Sequence, residues 1–314
     1  MRMDATPCCR GAESTLCCTY FSPPTQQRER CHQRRQGPGR CVAGLGFVSS
    51  QVENEMPMTD TCTDVAERYE QVKERIRLAA ERGGRDPKKV FLVAVTKNAT
   101  PAEVRVLHRL GQVDFGESRM QHFVRMASQI DEFRSRQKEL HGGRDIPESI
   151  RWHFIGRLQR NKVRRVLSTA RLVHSVDSLK LAEEVHEVHS GDAPPSDVLI
   201  QVNVSGEKAK QGVAPAAAGH LVDQMRTMLG VRVRGLMCMA PYADDPETTR
   251  PVFLRARELF DDIHKAHGDD GFDLLSMGMS NDYEVAIECG ANVVRVGTAI
   301  FGAPVVDEEI AAER

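Results

Sequence analysis

The chain has 314 residues, and its 43 Lys and Arg stand against 44 Asp and Glu for a formal net charge of -1. That balance supplies no global attraction for nucleic acid or an anionic membrane, and no apolar stretch approaches the ~20 residues that a bilayer span needs. Length alone allows either one barrel or two smaller domains around a large core.

Six of the nine cysteines, Cys8, Cys9, Cys17, Cys18, Cys31 and Cys41, fall in the first fifty residues. Cys62, Cys238 and Cys289 are scattered through the rest, which makes no disulfide framework and points to a reducing, cytoplasmic setting. The early cysteines lie in adjacent pairs rather than a C-x2-C ladder, so no zinc site is expected. Residues 1–58 hold no sustained apolar period, carry Pro23-Pro24 and Gly37-Pro38-Gly39, and set seven arginines against three acidic residues within the first fifty. Such a segment buries too little to offset its ordering entropy and is predicted to be a disordered leader. Its composition permits a mitochondrial transit peptide; an upstream extension of a frame starting near Met56 or Met58 is the alternative.

From Thr63 the pattern becomes helical: Val65, Tyr69, Val72, Ile76 and Ala80 share one face, and Gly83-Gly84 ends it. The run Phe91-Leu92-Val93-Ala94-Val95-Thr96-Lys97 follows, a buried parallel strand closed by a lysine at its carboxyl edge. Thr100-Pro101-Ala102-Glu103 then starts a helix, with threonine as cap, proline in the first turn and glutamate completing a capping box. Lys97 is thereby held at a strand-to-helix turn, where desolvation would favour the free amine that a Schiff base requires; the alternative is a snorkelling lysine.

Gly111 stops the helix of residues 101–110, and a second strand spans 113–117. A helix of about 118–133 and a polar surface loop of 134–149 come next. Further strands are predicted at 150–155, 172–176, 198–203, 231–237, 274–277 and 293–296, each followed by a helical stretch until the chain ends soon after the last. Eight strands alternating with helices match a single (β/α)8 TIM-type barrel over 59–306, with 307–314 a short tail. In a barrel, strand ends converge on one mouth, and Lys97, Glu117, Gly156, Asn203, Met239, Ser280 and Gly297 would meet there.

Loops after strands seven and eight are where barrels take phosphate. The loop Leu275-Ser276-Met277-Gly278-Met279-Ser280-Asn281-Asp282 places Ser280 as a helix N-cap with Asp282 in the first turn. In Arg295-Val296-Gly297-Thr298, Gly297 admits a close backbone approach and Thr298 offers a hydroxyl. Arg295 lies inside an apolar strand, either aimed at a ligand or paired with a buried carboxylate such as Glu117. The basic helix with Arg157, Arg160, Lys162, Arg164 and Arg165 lacks interleaved aromatics and reads as a solvated face. His186 with His189, and His264 with His267, lack metal-ligand spacing. No Walker loop or G-x-G-x-x-G follows a strand, which disfavours ATP and nicotinamide cofactors.

With these stretches in hand, residues 65–303 resemble the pyridoxal 5′-phosphate homeostasis protein family. The blocks are Ala94–Lys97, Asp114–Glu117, Trp152–Lys162, His174–Asp177, the loop 275–282 and Val294–Gly302, in one order. The resemblance implies a barrel of the alanine racemase type, pyridoxal phosphate fold type III. The cofactor would be held as a Schiff base on Lys97, its phosphate on Ser280, Gly297 and Thr298, with Asn203 also in the binding set. Arg295 would approach the pyridine nitrogen, which it would not keep protonated, so the cofactor would be a weaker electron sink. Lys210 matches a second family lysine proposed to help load or release the cofactor. Asn98-Ala99 and Ser118-Arg119 depart from the usual family residues.

The resemblance implies a carrier in vitamin B6 homeostasis rather than a turnover enzyme, a monomer or weak dimer with pyridoxal phosphate-dependent apoenzymes as partners, no nucleic acid, no membrane and no metal. The alternative is a racemase-like enzyme on the same barrel. Two-sided proton transfer needs a second acid/base from a further domain, and the sequence ends about a dozen residues after Gly302. A nucleic-acid-binding barrel using the basic helix is a third reading.

Overall fold

Eight parallel strands close on themselves in chain order: β1 (Phe91–Val95), β2 (Asp114–Glu117), β3 (Arg151–Phe154), β4 (Ala170–Val176), β5 (Ser196–Gln201), β6 (Val231–Met237), β7 (Leu274–Ser276) and β8 (Val293–Val296). Closure comes from β8 returning to β1, with Val93 beside Arg295 and Ala94 beside Val296. This computed structural model describes residues 60–141, 149–189, 193–207, 211–267 and 271–303. The predicted leader 1–58, Lys210 and the tail 307–314 lie outside those residues.

Between the strands run α2 (Pro101–Arg109), α3 (Met120–His141), α4 (Val163–Leu167), α5 (Leu179–Val188), α6 (Pro215–Arg226), α7 (Arg250–His267), α8 (Tyr283–Glu288) and α9 (Thr298–Phe301). They are preceded by α1 (Asp60–Arg82), which buries Val65, Tyr69, Val72, Ile76 and Ala80 against the barrel wall. Its face meets α8 and α9, where Arg68 donates to the Ile300 carbonyl at 2.7 Å and Arg82 pairs with Glu284 and Glu288. The first helix therefore clamps the element that follows the last strand, which holds the barrel closed at its β1–β8 seam. None of the described helices is long and apolar enough to cross a membrane.

Strands β6 and β8 have the limits their apolar runs predict. Three expectations are corrected. The first strand stops at Val95, and Thr96–Asn98 forms a 3-10 turn closed by Ala99 N–H donating to the Thr96 carbonyl at 3.0 Å. Lys97 is thus the middle of a turn rather than the last residue of a strand. Residues 134–141, read as loop, continue α3 to His141; Arg, Gln, Lys and Glu are strong helix formers that need no apolar face, and Arg136 pairs with Glu132 one turn back. The third correction concerns Ser280 and belongs to the mouth.

Candidate functional site

The carboxyl ends of β1, β2, β7 and β8 build the part of the mouth that carries the expected chemistry. Thr96 is fully buried and donates to the Gly116 carbonyl at 3.3 Å and to Glu117 Oε2 at 3.2 Å, so the turn bearing Lys97 is tied to the end of β2. On its other side the capping box forms as predicted: Glu103 Oε2 accepts from Thr100 N–H at 2.6 Å, and Thr100 Oγ1 accepts from Glu103 N–H at 3.3 Å. Both flanks of Lys97 are pinned while its own side chain is exposed. The desolvated lysine that the sequence led us to expect is therefore not found; what the fold supplies at Lys97 is a fixed backbone position.

Glu117 is fully buried and draws its partners from one neighbourhood. Oε1 accepts from the backbone N–H groups of Ser118 at 2.7 Å and Arg119 at 3.0 Å, and His122 Nδ1 lies 2.5 Å from Oε2. The two bonds from Ser118 and Arg119 N–H are made by backbone and do not depend on the Ser118-Arg119 departure, while the Ser118 hydroxyl adds a third at 3.3 Å. Close by, a Cβ on Gly156 would stand 1.9 Å from the Ser118 carbonyl oxygen, so only glycine lets the ends of β2 and β3 meet.

Ser280 does not cap the helix that follows it. Asp282 occupies the position before α8, and its Oδ1 accepts from Met279 N–H at 2.6 Å. Ser280 instead reaches across to the last strand: its Oγ accepts from Gly297 N–H at 3.1 Å and Ala299 N–H at 3.4 Å. With both lone pairs so engaged, its O–H remains a donor for an arriving anion. Gly297 leans on β1, where an added Cβ would come 3.2 Å from both the Cβ and the carbonyl oxygen of Val95. Val95 precedes Lys97 by two residues. The hydroxyl and the amine are thus carried by adjoining segments at the β1–β8 seam.

Arg295 is 4 % exposed and lies inside the barrel. Its Nη1 donates to Ser276 Oγ at 2.6 Å and its Nη2 to the Cys238 carbonyl at 3.0 Å, whereas the Glu117 carboxylate is met by Thr96, Ser118, Arg119 and His122. The ion pair with Glu117 is therefore not formed. Burial lowers the pKa of the guanidinium from its ordinary value, against opposing contributions from Cys238 and Asp282. Arginine retains its charge nonetheless.

The remaining expectations divide. Asn203 lies two residues past β5 and shapes its own turn, with Nδ2 donating to the Glu207 carbonyl at 2.9 Å and Oδ1 accepting from Gly206 N–H at 3.1 Å. Thr298 is exposed at the start of α9, and Met239 is half-buried beyond β6. Arg157, Arg160, Arg164 and Arg165 are exposed, as a solvated face requires. His186 accepts from Gly230 N–H and His264 donates to the Phe272 carbonyl, both structural roles, and no cluster suited to a metal occurs among the described residues.

Inside the barrel lie polar residues whose roles the sequence reading did not assign: Asp114, His153, His174 and Ser276, all buried. His174 Nδ1 is 3.0 Å from Ser276 Oγ, the same oxygen that receives Arg295. Burial above all, with His153 and Arg295 beside it, holds the His174 imidazole well below its ordinary pKa, so it is neutral. A signal was present in part: His153 and His174 each stand between apolar neighbours in their strands, whereas Asp114 opens β2 and Ser276 ends β7.

The family model described as "Alanine racemase, N-terminal domain" matches residues 69–304, which places this closed parallel barrel in the alanine racemase class of barrels. Within that class, the chain is 41% identical over 239 residues to the pyridoxal phosphate homeostasis protein of Pseudomonas aeruginosa, covering 76% of this chain and 95% of that one. The Aquifex aeolicus protein of the same name is 38% identical over 239 residues, 76% of this chain and 98% of its own. PipY of Synechococcus elongatus, solved with PLP bound, superposes with a TM-score of 0.62 at 28% identity, covering 76% of this chain and 100% of PipY. The chain belongs to the pyridoxal phosphate homeostasis protein family.

Proposed function

We propose that this protein binds pyridoxal 5′-phosphate in the barrel mouth and holds it through a Schiff base on Lys97, as a carrier in intracellular vitamin B6 homeostasis. The observation that carries the reading is the seam: Ser280 gathers the N–H groups of the turn after β8, and Gly297 of that turn rests on Val95, two residues before Lys97. A ligand with an aldehyde at one end and a phosphate at the other fits that donor set. Lys97 would supply the amine for the aldehyde, with water as the leaving group. Ser280 supplies a hydroxyl donor, Gly297 and Thr298 the turn beside it, and Asn203 a polar group at the rim.

When bound, the cofactor supplies an electron-withdrawing ring. Arg295, the candidate group on the pyridine side, donates hydrogen bonds but is a poor proton source, so it moderates that withdrawal. This chemistry and the names of the relatives both favour holding over turnover. Delivery to pyridoxal phosphate-dependent apoenzymes, by a monomer or weak dimer, is the role such a holder would serve, and Lys210 is the candidate for a secondary loading site.

The test is to incubate purified protein with pyridoxal phosphate, reduce with borohydride and map the labelled peptide. Label on Lys97, lost in Lys97→Ala, is the expected result; label elsewhere or none refutes the Schiff base. Racemase and transaminase assays on the loaded protein decide the second part, and substantial turnover overturns the carrier reading.

A further inference from the structure

A continuous hydrogen-bonded chain crosses the barrel from its amino-terminal face to Arg295. Arg151 holds Asp114 with two bonds, Nε to Oδ1 and Nη2 to Oδ2, both 2.9 Å. Asp114 Oδ1 is 3.0 Å from His153 Nε2, His153 Nδ1 is 3.0 Å from His174 Nε2, and His174 Nδ1 is 3.0 Å from Ser276 Oγ. Arg295 Nη1 closes the chain on that oxygen at 2.6 Å. Asp114 and Arg151 open β2 and β3, while Ser276 ends β7, so the chain runs obliquely between the two ends of the barrel.

The two ends limit the donors, since arginine only donates and an ionised carboxylate only accepts, and they admit the following order. Ser276 Oγ accepts from Arg295 and is free to pass its own proton to His174 Nδ1. His174 then carries hydrogen on Nε2 and donates to His153 Nδ1, and His153 donates from Nε2 to Asp114. Asp114 is ionised: burial pushes its pKa up, but the bonds from His153 and Arg151 outweigh that and leave it below the ordinary value. In this order every bond points toward the carboxylate.

One added proton permits a second arrangement. On His153 it makes both ring nitrogens donors, one to Asp114 and one to His174 Nε2, which must now be the bare nitrogen. His174 then carries its hydrogen on Nδ1 and donates to Ser276, whose hydroxyl proton must turn elsewhere. The net change is one proton taken from solvent, with its charge beside Asp114.

We propose that Asp114, His153, His174 and Ser276 are positioning residues for Arg295, a directional hydrogen-bond chain that reverses on uptake of one proton and so alters how Ser276 holds the guanidinium. The effect on a bound cofactor rests on the pyridoxal phosphate reading; the reversal does not. Other charges that face the chain are engaged: Asp197 of β5 with Arg171 and Arg232, Arg234 with Asp273, and Glu117 with His122. β1 is apolar throughout, and Cys238 follows β6.

The experiment follows the nitrogen-15 signals of His153 and His174 in the cofactor-free protein between about pH 8 and about pH 5.5, where imidazoles take up protons. His174 should move its hydrogen from Nε2 to Nδ1 with the same midpoint at which His153 becomes doubly protonated. Asp114→Asn should lower that midpoint, because the stabilising anion 3.0 Å from His153 Nε2 is gone. A single unchanged His174 tautomer across the range, or unrelated midpoints, overturns the proposal. In protein loaded with pyridoxal phosphate, the absorption band should shift over the same range and cease to do so in Ser276→Ala; a shift that survives this variant overturns the link to Arg295. Because the tautomers are read without cofactor, failure of the reversal and failure of cofactor binding are told apart.

Discussion

Replacing Ser280 by alanine separates a capping role from a ligand-binding one. The hydroxyl oxygen accepts from Gly297 and Ala299 N–H at 3.1 and 3.4 Å, so its loss removes a cap from the turn after β8. A lost cap costs about 1 kcal/mol, which lowers Tm by about 2 to 4 °C in a domain of this size. The same substitution removes the O–H donor available to a phosphate. A hydrogen bond to a charged group contributes about 1.5 to 3 kcal/mol, a loss of about 10-fold to 150-fold in Kd. Because the two N–H groups stay near the mouth and can turn to the phosphate themselves, the lower end of that range is expected. Titration of the cofactor-free protein with pyridoxal phosphate, repeated in Lys97→Ala to isolate the non-covalent part, reads the effect. A Kd within about twofold of the parent, with Tm lowered as expected, would show that Ser280 only closes the turn and would refute its place in the site.

Two further outcomes follow from the same geometry. Glu103→Ala breaks the capping box beside the Lys97 turn and should cost about 1 to 2 kcal/mol in chemical denaturation, and an unchanged midpoint would refute the idea that this box secures the turn. Tyr69 lies on the buried face of α1, where burial first and Glu70 second push its phenol up to about 12. A neutral group whose folded pKa is raised contributes fully below its unfolded value of about 10. Folding stability should therefore fall between about pH 10 and about pH 12. Tyr69→Phe should flatten that fall even as it loses the bond to Gln112 at 3.2 Å.

Strands β1, β5, β6 and β8 were legible as short runs rich in valine or isoleucine bounded by turn residues, and β6 and β8 needed nothing else. The capping box was legible for the same local reason: cap, proline and glutamate lie within four residues. What escaped depended on contacts between distant segments. The 3-10 turn that carries Lys97 is tied by Thr96 to β2, about twenty residues on. Ser280 finds its partners 17 and 19 residues later rather than in the helix it precedes. The far half of α3 escaped because a polar helix has no period to read. Of the polar residues set into apolar strands, Arg295 drew notice by its charge, whereas His153 and His174 are weak signals singly and acquire meaning only when neighbouring strands align them.

Those interior residues carry an energetic implication of their own. An apolar filling would close a barrel of this kind without any need to satisfy buried donors, and replacing buried polar sets by well-packed apolar ones is often neutral or stabilising. Here every member is paired: Asp114 by Arg151 and His153, His174 by His153 and Ser276, Arg295 by Ser276 and the Cys238 carbonyl. Removing any one leaves a neighbour unsatisfied at a cost of about 1 to 3 kcal/mol, so the set is bound together even though the barrel does not require it to close. A low-dielectric interior also makes each bond directional and ties the proton position of one ring to that of the next. Stability alone thus gives no reason for the polar filling. Control over how one buried guanidinium is held does, since the chain leads to Arg295 and ends there.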